Sequence, residues 1–396
     1  MESQSPLLLG HLSLQPLDKS RHVALLEGYA RHAVVVHVEP RVSFRADVAT
    51  EYRRAVGQAL DALDGKSDSR VIKLVLPSRL PLNRLEQIAG WNRWLALRSF
   101  FRDVHASRPE TRCVLTCSSP LLLPTLRGLG ADLTVYEARD DYVAQADTKA
   151  RAGELKRRQR RMLDQCDVAW AVSKNLAERL RIERADVIET TNGVKCAEFA
   201  NPVPSSIPAL EALPRPRIGL VGNLNDRVDW ELLDHVARAR PRWQIVVVGP
   251  IYRHQSSRLT ENGVAKLERN PNVTLLPAVA TDEIPAVVHA FDVGLIPYRI
   301  FDVTEAINPL KAYQYLAAGK PVVATRIPAL EDLRDVVECA PVGDEFVAAI
   351  DRALATSRDS RMTIFRRERV LDLSWDRVAD DRVAVLRTRL NGRAHR

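Results

Sequence analysis

No apolar run in these 396 residues reaches the roughly 18–20 needed to span a bilayer. The apolar start, "PLLLGHLSL" (6–14), is too short for a signal peptide and has no basic stretch before it. It reads as a buried strand, and the chain is expected in the cytosol. Cysteine is scarce: Cys113, Cys117, Cys166, Cys196 and Cys339 are odd in number and widely spread. No second pair or histidine cluster accompanies Cys113 and Cys117, so buried free thiols are expected rather than a zinc site. Several fingerprints are missing as well. There is no G-x-G-x-x-G turn, Walker loop, G-x-S-x-G elbow or H-E-x-x-H, which argues against a nicotinamide dehydrogenase, a P-loop enzyme, an α/β-hydrolase and a zinc protease. No D-x-D pair is present to hold a metal on a sugar-nucleotide diphosphate, so no metal and no other cofactor is expected.

What is abundant is positive charge. The formal net charge of +8 favours acidic partners: nucleic acid, anionic lipid or phosphorylated small molecules. No aromatic RNA-binding signature or helix-turn-helix supports nucleic acid.

Continuous apolar runs separated by helical patterns recur along the chain. In the first half they are 33–38, 71–76, 113–117, 132–138, 167–173 and 186–191; in the second, 217–222, 243–249, 273–277, 292–298 and 320–325. Continuous rather than alternating apolarity marks strands covered on both faces, hence parallel sheets in βα repeats. Between the two sets lies a proline-rich stretch that cannot be a regular helix. The expected class is α/β: two Rossmann-like, doubly wound parallel-sheet domains facing a central cleft. The expected boundaries are 1–200, a linker at 201–216, a second domain at 217–365, and a tail at 366–396 crossing back toward the first domain. In that tail Trp375, Ala379, Val383, Leu386 and Leu390 share one helix face.

The stretch "NPLKAYQYLAAGKPVVAT" (308–325) carries the chemistry. Pro309 falls at a helix's first turn, where its missing N–H costs nothing. The free N–H groups there make a phosphate site, and Lys311, read as facing the surface, adds a full charge. Gln314, one turn on, offers a donor and an acceptor to a ribose or a base. Gly319 ends the helix.

This stretch, with "IGLVGNLNDRVDWELL" (218–233), "WQIVVVGP" (243–250) and "TNGV" (191–194), resembles the GT-B glycosyltransferases, most of all the family-4-like enzymes of bacterial polysaccharide assembly. The likeness covers most of the chain, including residues 10–40, which look like that family's opening loop and second strand. The Lys-x-x-Gln-Tyr form also resembles the glucuronosyltransferase of xanthan assembly, an inverting enzyme. The resemblance implies a nucleoside diphosphate sugar donor, UDP-linked, and a glycan or lipid-linked acceptor. The retaining branch carries two glutamates spaced E-x7-E; here Ala306 and Gln314 hold those places, which leaves inverting or retaining transfer open. It also leaves open a catalytically degenerate relative acting as a binding partner, and a nucleotide-sugar 2-epimerase shares the fold.

On that resemblance the donor candidates are Gly222, Asn223, Arg227, Gly249, Arg253, Tyr298, Asn308, Pro309, Lys311 and Gln314. Arginine suits a diphosphate through bidentate contacts, though Arg227 and Arg253 also read as surface residues and Tyr298 as packing. Asp140, with Asp141 beside it to raise its pKa, resembles the inverting enzyme's base; the alternative is a helix N-cap pair. His11, beside Gly10 in the first loop, is either a contact to acceptor or donor phosphate or a solvated histidine. Two basic elements, 91–102 with interleaved aromatics and the helix at 149–161, suit an anionic membrane interface; the alternative for the first is a core helix.

Overall fold

The computed structural model describes residues 5–13, 20–43, 48–77, 86–202, 207–251 and 258–394. They form two compact units, Met1–Thr191 with Trp375–Arg396, and Asn192–Ser374. The first holds β1 (Leu7–Leu12), β2 (Val34–Ser43), β3 (Val71–Pro77), β4 (Arg112–Cys117), β5 (Leu133–Ala138), β6 (Val168–Ala171) and β7 (Ile188–Glu189). Their order in the sheet is 3-2-1-4-5-6-7. Helices α1 (Ser20–Ala30), α2 (Val48–Leu63), α3 (Glu86–Ser107), α4 (Lys149–Gln165) and α5 (Lys174–Arg181) connect them.

The second unit holds β8 (Arg217–Val221), β9 (Gln244–Val248), β10 (Val273–Leu276), β11 (Val293–Ile296), β12 (Val322–Ala324) and β13 (Val337–Cys339), in the order 10-9-8-11-12-13. Its helices are α6 (Cys196–Ala200), α7 (Pro208–Glu211), α8 (Trp230–Ala239), α9 (Arg258–Leu267), α10 (Ile284–Ala290), α11 (Asp302–Glu305), α12 (Leu310–Ala317), α13 (Asp344–Ala355) and α14 (Ser360–Glu368). The final helix, α15 (Trp375–Ala394), belongs to the first unit.

Every strand pairing is parallel. Every residue of β1, β5, β6, β8, β9 and β11 is buried, as strands sandwiched between helix layers must be. In each sheet the order reverses beside the unit's first strand, between β1 and β4 and between β8 and β11. Crevices beyond the carboxyl ends of strands at such reversals are where doubly wound sheets take ligands.

The proline-rich segment lies in the second unit, where Leu210 of α7 is buried in that unit's core. Strand β13, at the sheet edge, has no counterpart among the strands expected from sequence. Helix α15 buries Trp375, Ala379, Val383, Leu386 and Leu390, the expected face. Among the described residues no helix is long and apolar enough to cross a membrane.

Candidate functional site

In the second unit, β8 and β11 aim their carboxyl ends at the start of α12. That helix is fixed by its buried side: the Tyr315 hydroxyl accepts a hydrogen bond from Val221 N at 3.1 Å. The Tyr315 ring lies so close over Gly294 that a Cβ there would come within 2.4 Å of it. Asn192, 3% exposed, donates from Nδ2 to the Asn308 carbonyl at 2.9 Å and so pins the residues leading into the helix. Pro309 is the N-cap, one residue before the first turn, and no side chain caps that end of the helix. Gly319, at φ 77°, terminates it in the left-handed region.

This anchoring delivers Lys311 to the end of β8. It is not a surface residue: it is 8% exposed, and its Nζ lies 4.7 Å from the centre of the Tyr298 ring. A Cβ on Gly222 would stand 3.4 Å from that Nζ. The ammonium is buried and has no hydrogen-bond partner among the described residues. A buried cation held only by an aromatic face is incompletely satisfied, and an anion is the group that completes it. The lysine read as facing the surface is instead buried, its ammonium over the ring of Tyr298 from the segment after β11.

The glycines at the two strand ends are required. Gly222 and Gly249 have φ of 132° and 144°. A Cβ on Gly249 would come within 2.0 Å of Gly222 O, so the two loops touch backbone to backbone. The loop after β8 is tied to that after β11: Asp229 N donates to Pro297 O at 2.7 Å, and Arg299 N to Arg227 O at 2.8 Å. Arg227 thus lies beside Tyr298 in the chain fold, half-buried; Asn223 is exposed on the same loop and Gln314 is half-buried on α12. Arg253 lies outside the described residues.

In the first unit the candidates separate. His11 is in β1, not in a loop, and it is fully buried with Nδ1 2.8 Å from Thr116 Oγ1. Burial, with the nearby Arg139 guanidinium, holds it well below the ordinary histidine range, so it is neutral. Its ring centre lies 5.8 Å from that of His37, whose pKa burial lowers to about 4. Asp141 is 9% exposed and engaged twice, accepting from Ala144 N at 2.9 Å and from Arg179 Nη1 at 2.8 Å. It caps a turn and forms an ion pair. No helix begins there; the next one, α4, is capped by Thr148. Asp140, half-buried, accepts a 3.2 Å hydrogen bond from Gln145 Nε2.

Beside these lies a charge network the sequence did not disclose. Glu137, at the end of β5, accepts from Arg139 at 2.7 Å and from Arg382 of α15 at 2.7 Å. Arg382 also donates to Thr190 Oγ1 at 2.8 Å and to the Tyr29 hydroxyl at 3.3 Å, and it faces the Trp170 ring at 5.1 Å. The two guanidinium groups, acting against its burial, hold the Glu137 carboxyl well below the usual range.

The basic-aromatic run 91–102 lies within α3, but it does not form one face. Phe100 and Phe101 are buried, and buried Arg93 donates to the Leu122 carbonyl at 2.6 Å. Only Trp91 is an exposed aromatic, at 44%. All five cysteines are free. A histidine does approach Cys113: His105, Cys113 and Asp132 place ligand-type atoms within 4.8 Å of one another. Asp132 is occupied by Cys113 N at 2.7 Å and His105 Nε2 lies 3.0 Å from Gly130 O, while burial pushes the thiol up to about 12. This group therefore reads as packing.

Residues 215–356 match the model of the family described as Glycosyl transferases group 1. The chain is 26% identical over 287 residues to the putative teichuronic acid biosynthesis glycosyltransferase TuaH of Bacillus subtilis (strain 168), covering 68% of this chain and 71% of that one. Among solved structures, it resembles sucrose-phosphate synthase from Thermosynechococcus elongatus, with TM-score 0.68 and 17% identity over 96% of this chain and 98% of that one. It also resembles Anabaena Alr3699/HepE, solved in complex with UDP and glucose, with TM-score 0.62 and 13% identity over 96% and 99%. The fold is GT-B.

Proposed function

We propose, for a chain whose residues 215–356 are a Glycosyl transferases group 1 domain on a GT-B fold, that it transfers a sugar from a nucleoside diphosphate sugar, UDP-linked, to a glycan or lipid-linked acceptor in extracellular polysaccharide or glycolipid assembly. The observation that carries this reading is Lys311. Its buried ammonium, without a hydrogen-bond partner among the described residues, sits beside Gly222 at the β8–β11 reversal, where a diphosphate would complete it. The uncapped N-terminus of α12 adds N–H groups and a positive helix end to the same place. The UDP and glucose in the Anabaena structure and the name of the Bacillus relative support the substrate class.

In this reading the transfer inverts. Asp140 takes the proton of an acceptor hydroxyl as its oxygen bonds to the anomeric carbon. The bond from that carbon to the diphosphate breaks, and UDP leaves with its new charge stabilised by Lys311, Arg227 and the α12 terminus. These groups supply the neutralisation a divalent ion would otherwise provide, so turnover should persist in EDTA. The enzyme works in the cytoplasm at the inner face of the membrane, touching anionic lipid through exposed Trp91 of the 91–102 run and the exposed cations of 149–161.

The test is mass spectrometry of nucleotide release from a panel of nucleotide sugars, with and without membrane extract. UDP released in the presence of extract, unaffected by EDTA, is expected. No nucleotide released from any donor would remove the transferase reading in favour of a binding partner.

A further inference from the structure

In the first unit α3, α4 and the segment after β4 surround a cavity of about 430 Å³, in the range small-molecule sites occupy. One side is apolar: Leu123, Pro124 and Met162, with Trp91 at the rim. Trp91 packs edge-to-face on Trp94 at 5.7 Å, and Trp94 is itself fixed by its Nε1–H donating to Arg127 O at 3.1 Å. The exposed indole is therefore held in place.

The other side carries Arg157, Arg158 and Arg161 against Glu86 and Glu154. Both carboxylates are already taken. Arg158 reaches Glu86 and Glu154 at 2.7 Å each, and Arg151 pairs with Glu154 at 2.7 Å and Glu86 at 3.1 Å. Arg157 and Arg161 are left without a carboxylate among the described residues; Arg161 donates only to the Pro124 carbonyl at 3.3 Å. Both are exposed, as are Lys149, Lys156 and Arg160 on the same helix.

A cavity with an apolar wall, an indole at its mouth and two uncompensated guanidinium groups is complementary to an anionic amphiphile. We propose that it seats the phosphate-bearing headgroup of a membrane lipid. Arg157 and Arg161 grip the phosphate, Trp91 enters the interfacial layer, and the remaining cations of α4 add longer-range attraction. A soluble phosphate would use the arginines but leave the apolar wall and the indole without a role. The inference deepens the acceptor side of the proposed transfer and rests on that reading for its purpose, though not for its test.

The test is flotation with vesicles of phosphatidylcholine alone and of phosphatidylcholine mixed with phosphatidylglycerol. Wild type should partition only onto the mixed vesicles, with a blue shift of tryptophan emission. Arg157→Glu/Arg161→Glu should weaken partition by on the order of tenfold or more, and Trp91→Ala should weaken it and reduce the blue shift. Glycerol phosphate should not displace the protein. Unchanged partition of the double variant overturns the proposal, and so does displacement by glycerol phosphate, which would assign the arginines to a soluble anion. Titration of UDP into the same variants separates the two readings, since donor affinity should stay at the wild-type value in every one. Vesicle binding without UDP binding would sink the transferase reading alone; the reverse would sink the lipid pocket alone.

Discussion

At the scale of single residues, the two adjacent aspartates have different fates. Asp141 is committed to Ala144 N and Arg179, and Asp140 accepts from Gln145 Nε2 at 3.2 Å. If Asp140 is the base, Asp140→Asn should lower kcat by about 10²–10⁴ and leave UDP affinity unchanged, since the residue is in the other unit. Asp141→Asn should instead lower the melting temperature, because it gives up an ion pair at a nearly buried site. A wild-type rate for Asp140→Asn, measured under saturating donor, would exclude it as the base. The sequence showed that a carboxylate pair follows this strand. It could not show that Asp141 is ion-paired, because Arg179 comes from α5, 38 residues further on.

The same limit appears at the scale of elements. Among the described residues, twelve of the thirteen strands were legible as apolar runs, continuous where burial covers both faces. β13 was not: three residues at a sheet edge, with Glu338 in the middle, carry no such run. His11 was read as a loop residue because the segment from Gly10 resembles the family's opening loop, yet Gly10 is in β1, where a Cβ would come within 3.2 Å of Leu115. The apolar face of α15 was visible in its spacing, but nothing in that spacing marked Arg382 on the same helix as buried. Its burial with Glu137 leads to a second prediction. Arg382→Met leaves that carboxylate without one of its two cations, and the first unit should lose about 3–5 kcal/mol, read as a fall in the denaturation midpoint.

A third prediction concerns β1 and β2, whose buried histidines face each other. His37 titrates near 4 in the folded chain because burial opposes its charged form, and His11 is displaced the same way. Unfolded histidine takes up its proton near 6.5, so on acidification the unfolded state binds protons first. Stability should therefore fall as pH drops from about 6.5 toward 4, by up to ~1.4 kcal/mol per pH unit for each histidine. Glu39, Lys73, Arg139 and His11 surround or influence His37, and only Glu39 acts against the shift. His37→Leu should flatten part of the slope in melting experiments run across that range; an unaltered slope would assign the acid sensitivity elsewhere.

At the scale of the whole molecule, each unit is a doubly wound sheet with its order reversing beside its first strand, and Lys311, Tyr298 and Gly222 meet at the reversal in the second. The fold and the place of helix α12 were readable from the motifs at 191–194, 218–233, 243–250 and 308–325. The decisive feature, an ammonium buried over Tyr298 with no hydrogen-bond partner among the described residues, was not, because it depends on two strand ends and a helix meeting in space. The measurement that bears most directly on the account is calorimetric titration of UDP into wild type and Lys311→Met. Methionine keeps most of the apolar stem and removes the unpaired charge, so the ligand-free variant should melt no lower than wild type. UDP affinity should fall by about 1.5–3 kcal/mol, roughly 10- to 150-fold. Equal affinity of the two proteins for UDP would contradict the account, because the group that Lys311 awaits would then not be the donor's phosphate.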